Sequence, residues 1–153
     1  MGEAYFYHMT RQPLEATLPV LLQKSLQAGW RVLVRGQSPE RLDWLDQRLW
    51  LGPEEGFLPH GLAGGPHDAL QPVLLSTEGS ATNGAACLMS VDGAEVTAPE
   101  AEDYTRVCIL FDGTDASAVD HARGQWRQLT GGGVPAKYWS EEGGSWQMKA
   151  ESA

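Results

Sequence analysis

The chain is poor in cysteine and in positive charge, and it has no long hydrophobic run. Cys87 and Cys108 are the only cysteines, each set in an apolar segment. They form neither a CxxC pair nor a zinc-ligand spacing, so both read as small buried hydrophobes. No apolar stretch approaches the ~20 residues of a membrane span, and Met1–Thr10 carries no secretory pattern, so a cytoplasmic protein is expected. Lysine and arginine number 11 against 20 aspartates and glutamates, a formal net charge of −9. Such a balance is wrong for nonspecific nucleic-acid binding and for an anionic membrane surface, both of which select basic faces. Phosphate cradles are missing too. His8-Met9-Thr10-Arg11 follows the first predicted strand where GxGxxG would stand, and no GxxxxGK[ST] occurs. Gly61-Leu62-Ala63-Gly64-Gly65 neither follows a good strand nor opens a helix, and reads as a loop. The four histidines form no HExxH and no close ligand set, so no metal and no cofactor is expected.

What is present fits one globular domain. The chain has 153 residues, 42% of them hydrophobic and 20% charged, which suits a single unit with an ordinary core. A single α/β domain over 1–153 is expected, with residues 140–153 as a mobile tail. Ala4–Met9 is short and aromatic-rich and reads as a strand. Leu14, Leu18, Leu21, Leu22 and Leu26 have helical spacing up to Gly29, with Pro19 awkwardly inside or marking a start near Thr17. Arg31–Arg35 is a buried-type strand. Ser38-Pro39 is an N-cap with proline at the first helical position, opening a helix to about Trp50. Phe57–Leu62 reads as irregular. Strands are predicted at 72–76, 86–90 and 106–111, then a helix from Ala116 to Leu129 stopped by Gly131-Gly132-Gly133. Strand–helix alternation implies parallel pairing with helices on both faces. The strands near 72–76 and 86–90 are adjacent in sequence and are expected to pair antiparallel. The fold class is therefore α/β, three-layer α/β/α with a mixed, mostly parallel central sheet resembling a nucleotide-binding fold.

Several residues are candidates for function. Asp112 ends the strongest strand, where catalytic acids often sit, but Asp-Gly is also a plain turn signal. His60, between Pro59 and Gly61, reads as structural. On the last predicted helix, Val119, Ala122, Trp126 and Leu129 form an apolar stripe, with Arg123 and Arg127 four apart beside it. That arrangement is either core plus solvated arginines, or an aromatic wall with forked carboxylate donors. Trp50, Phe57 and Leu58 either staple a loop or form a protein-contact anchor. Six tryptophans are many for this length, and some are expected on a contact surface.

Taken in order, these segments resemble the chi subunit family of bacterial DNA polymerase III. The matching pieces are Phe6-Tyr7, Gln27–Arg35, Arg41-Leu42-Asp43, Leu49-Trp50, Gly56–Gly64, Pro72–Leu75, and Ala122-Arg123 through Trp126-Arg127 with Gly132-Gly133. The resemblance implies a non-catalytic accessory subunit in DNA replication. Such a subunit links the clamp loader to single-stranded-DNA-binding protein by holding that protein's acidic, Phe-ended C-terminal tail. By position, the tail-binding residues fall on Arg123, Trp126 and Arg127. The contact to the psi subunit, or to another clamp-loader component, falls on Phe57 with Trp50 and Leu58 nearby. Val119 and Thr130 replace basic positions of the family, so Lys137 or Arg106 are candidates to complete the patch. Gly124 is unusual inside the helix. The alternative is a small nucleotide-binding enzyme of Rossmann-like fold.

Overall fold

The computed structural model describes residues 2–50, 60–63, 71–77, 83–141 and 146–151. The strands are β1 (Glu3–Met9), β2 (Val32–Arg35), β3 (His60–Leu62), β4 (Val73–Ser76), β5 (Cys87–Ser90), β6 (Arg106–Asp112), β7 (Ala136–Ser140) and β8 (Gln147–Glu151). The helices are α1 (Leu14–Gln27), α2 (Pro39–Trp50), α3 (Ala98–Ala101) and α4 (Ala116–Gly131). One sheet runs β3-β4-β2-β5-β6-β1-β7-β8. Every pairing in it is parallel except β7 with β8.

The sheet has a core on each side. Met9, Leu18, Leu22, Leu42 and Leu45 belong to the cluster under α1 and α2. Phe6, Val107, Ile109, Ala122 and Leu129 belong to the cluster under α4. Along each strand the side chains alternate between the two, as a two-residue period requires. In β6, Cys108 and Leu110 face α1 while Val107, Ile109 and Phe111 face α4. The three-layer architecture with a mostly parallel sheet follows from this pattern. Cys87 and Cys108 are both buried and unbridged, as expected of small core residues.

Two expectations are corrected. The strands at 72–76 and 86–90 do not pair with each other. Both pair parallel to β2, on its opposite flanks. Two strands parallel to a common neighbour run in the same direction, which a tight hairpin cannot produce. The sheet is mixed because of β8 instead. His60–Leu62, expected to be irregular, extends the far edge of the sheet as β3. The helix begins at Leu14, as the leucine spacing predicted, with Pro19 inside it rather than marking a start near Thr17. Proline there removes a bond and costs about 3 kcal/mol in isolation. Leu14, Leu18, Leu21 and Leu22, all buried against the sheet, outweigh that cost.

The helix starts are cut by local chemistry. The Arg41 amide donates to Ser38 Oγ at 3.4 Å at the head of α2. The Ser117 amide donates to Asp115 at 2.9 Å at the head of α4. Gly29 follows α1 at φ 86°, a conformation that favours glycine. Gly124, in the middle of α4, has open space where a Cβ would stand. Gly124→Ala is therefore expected to stabilise the fold by about 0.5–1 kcal/mol. A thermal melt should rise by about 2–4 °C; an unchanged or lowered midpoint would contradict that.

Candidate functional site

α4 presents the predicted stripe to the sheet. Ala122 and Leu129 are buried, at 2% and 0% exposure. Val119 and Trp126 are half-buried at the margin of the same cluster. The Trp126 ring stands edge-on to Phe6 at 5.3 Å and to Tyr138 at 6.2 Å. Tyr138 also meets His8 and Phe111, continuing an aromatic floor along β1, β6 and β7. Arg123 and Arg127 are both exposed, one turn apart on the outer side of α4. Arg123 Nη1 lies 4.0 Å from Asp120 Oδ1, and both side chains are largely in solvent. A pair this long and exposed contributes about 0–1 kcal/mol and does not hold the guanidinium. Arg127 makes no ion pair among the described residues. Trp126, Arg123 and Arg127 thus lie together, with the indole partly open and both guanidinium groups available.

The two candidates to complete the patch are excluded by strand alternation. Arg106 starts β6 on the α1 side, with its guanidinium 4.0 Å from the Tyr5 ring centroid and 3.3 Å from Glu3 Oε1. Lys137 also faces Tyr5, at 5.5 Å, and lies 3.9 Å from Glu151 Oε2. The sheet separates both from Trp126. Trp50 ends α2, and its side chain lies outside the described residues, as do Phe57 and Leu58. Five tryptophans have described side chains, and none is fully buried. That fits the expectation that indoles reach the surface.

Asp112 is a turn residue. Its Oδ1 accepts from the Thr114 amide at 2.9 Å and from the Thr114 hydroxyl. The Thr114 hydroxyl holds the Asp112 carboxyl below its ordinary range, with the amide adding to the effect. Gly113 is required in that turn, since a Cβ would collide with the His8 ring. His60 is structural: its ring is buried, with Nε2 3.0 Å from the Asp46 carbonyl oxygen. Its partner lies on α2.

A crevice of about 820 Å³ opens at the carboxyl ends of β1 and β6, between α1 and α4. Doubly wound folds bind ligands at such a switch point. Here the amides of Thr10, Arg11 and Gln12 converge on Glu141 Oε1 at 2.8, 2.8 and 3.1 Å. An internal carboxylate occupies the donors that a phosphate would use. Burial alone would raise the Glu141 carboxyl, but these three N–H groups outweigh it and hold the group below its ordinary range. The crevice wall adds the carboxylates of Asp92, Asp112 and Asp115. Among the described residues, no three His, Cys, Asp or Glu side chains gather as a metal site.

Sequence reasoning missed Glu141 and Gln125. Gln125 is 3% exposed and its Oε1 accepts from the Val96 amide at 2.8 Å. Both partners are distant in sequence, and neither residue type signals a buried role.

Among the described residues no helix is long and apolar enough to cross a membrane. No curated protein matches the chain. The family model described as DNA polymerase III chi subunit, HolC, matches residues 1–137. That span runs from β1 through all of α4 and into β7. The chain, with its α/β fold and its basic and aromatic helix face, belongs to the DNA polymerase III chi subunit family.

Proposed function

We propose that this chain is a non-catalytic replication adaptor that holds the acidic, Phe-ended C-terminal tail of single-stranded-DNA-binding protein on α4. The observation that carries it is the half-buried Trp126 indole beside two exposed guanidinium groups, neither firmly bridged. At a net charge of −9 the molecule repels an acidic tail at long range. Attraction must come from Arg123 and Arg127 at short range, which screening weakens as salt rises. Exposed ion pairs supply about 0–1 kcal/mol each. Most of the affinity then comes from the terminal aromatic side chain lying against Trp126, with the arginines holding carboxylates. Binding in the micromolar range is expected, or about −8 kcal/mol. Calorimetry with an acidic Phe-ended peptide tests it, and absence of binding at low salt would reject it.

A second contact tethers the adaptor to the psi subunit or another clamp-loader component in the bacterial cytoplasm, through Trp50, Phe57 and Leu58. Tethering raises the effective concentration of the weak tail contact. Phe57→Ala is expected to break subunit association and leave tail binding intact. A clamp-loader pull-down indifferent to the substitution would reject that assignment. The crevice at β1 and β6 favours one alternative, a small nucleotide-binding enzyme. Its donors are held by Glu141, so calorimetry against a nucleotide panel is expected to give no heat, and binding would revive the enzyme.

A further inference from the structure

The opposite face of the sheet carries a second groove with the same two ingredients. α4 packs on β6, β1 and β7, whereas α1 leans on β2 and β6. On the α1 side, the outer strands β1 and β7 are therefore bordered by a helix rather than roofed by one. Aromatic side chains take the place of the missing layer. Tyr5 meets Trp139 at 6.1 Å, and Tyr7 stands edge-on to Trp146 at 5.3 Å. Burial pushes the Tyr7 phenol well above its usual range, so it stays neutral. Between these rings and the outer side of α1 lies a groove of about 660 Å³. Val20 projects from α1 along it and is 51% exposed, the most exposed large hydrophobic among the described residues.

The rim of this groove is basic in an acidic protein. Arg11 and Lys24 both line it, both are exposed, and neither makes an ion pair among the described residues. Among the described residues the one carboxylate in the lining, Glu141, is turned to the amides of Thr10, Arg11 and Gln12. Arg11 lies close enough for its charge to help hold that carboxyl down, so Glu141 offsets part of Arg11 and leaves Lys24 as the unopposed cation of the described rim. We propose that this groove docks an acidic segment of a partner protein, with one large apolar side chain lodged between Val20 and Trp139 or Trp146. Arg11 and Lys24 would hold flanking carboxylates.

Two other occupants fit less well. A second copy of the chain would bring another net charge of −9 to the same place. Single-stranded nucleic acid needs open aromatic faces for stacking. Trp139 and Trp146 line the groove, but a phosphate backbone also needs a basic track, and the described lining supplies only Arg11 and Lys24 in a molecule of net charge −9. The groove and α4 lie on opposite sides of the sheet, so the two sites are independent. Failure of one leaves the other standing.

The test uses the full chain and the capped peptide acetyl-Glu-Asp-Asp-Phe-Asp-Glu-amide, which has no free C-terminal carboxylate. Fluorescence anisotropy of the labelled peptide is expected to give binding that Lys24→Glu weakens by about tenfold or more. Val20→Asp should do the same. Both positions are exposed, so both variants should keep the parent's circular dichroism; should Val20→Asp unfold the chain, Lys24→Glu carries the test alone. Arg127→Glu, on the other side of the sheet, is expected to weaken this peptide less than Lys24→Glu does. The proposal is overturned if the parent does not bind the peptide, or if Lys24→Glu leaves its affinity unchanged. It is equally overturned if Arg127→Glu weakens the peptide as strongly, which would assign the binding to α4. A short oligothymidylate that binds and is released by Lys24→Glu would replace the acidic segment with nucleic acid and reject the proposal as stated.

Discussion

Arg127→Glu removes measurable binding of an acidic Phe-ended peptide at α4, while the melting temperature stays within about 2 °C of the parent's. The effect is electrostatic and local. Arg127 is exposed and has no carboxylate partner among the described residues, so the fold does not depend on its charge. Reversal removes a donor and places an anion where the tail's carboxylates must lie. Like charges brought together at a docking site cost several kcal/mol. A loss of about 3 kcal/mol moves a micromolar contact by about a hundredfold, beyond ordinary titration. Trp126→Ala would be a poorer probe. That indole also supports Phe6 and Tyr138, so its loss would mix binding with stability. An unchanged affinity in Arg127→Glu would place the tail elsewhere.

The second large effect is on stability. Glu141→Ala is expected to destabilise the domain by about 2–4 kcal/mol, because three N–H groups lose one charged acceptor. Against a total of about 5–15 kcal/mol this is a large fraction. The melting midpoint should fall by about 5–15 °C. The residue joins the end of β7 to the loop between β1 and α1, so its loss frees two elements from each other. The pH dependence has a definite sign. The folded carboxyl lies below its ordinary value. Its contribution is complete above the unfolded pKa of about 4.3 and is lost as pH falls through the folded value. Glu141→Gln keeps an acceptor and loses the charge. It should cost less than Glu141→Ala and flatten stability between about pH 5 and pH 2. Denaturant titrations across that range check both; equal acid sensitivity in parent and Glu141→Gln would contradict the assignment.

The two central apolar strands were legible because Val32-Leu33-Val34 and Val107-Cys108-Ile109-Leu110-Phe111 are buried on both faces and need no alternation. α2 was legible from Ser38-Pro39, and α4 from its stripe. β7 was not, since Lys137, Tyr138 and Trp139 are all half-buried and blur the period. β8 carries no pattern at all: every residue of it is exposed. Strand order was hidden for a different reason. Which side of β2 a strand takes is decided by how the connection crosses the sheet, and apolar content does not encode that. For the site, helical spacing placed Trp126, Arg123 and Arg127 together correctly. It said nothing of which sheet face Arg106 and Lys137 would take, and strand register removed both from the patch. Glu141 was invisible because its partners lie at the opposite end of the chain.

The most direct measurement is an amide and indole nuclear magnetic resonance titration of the full chain with an acidic Phe-ended peptide. The tail-holding role predicts that the Trp126 indole N–H and the amides around Arg123 and Arg127 move first and saturate together, less steeply as salt is added. Signals on α4 that stay fixed while the peptide binds, or that never move at saturating peptide, would contradict it.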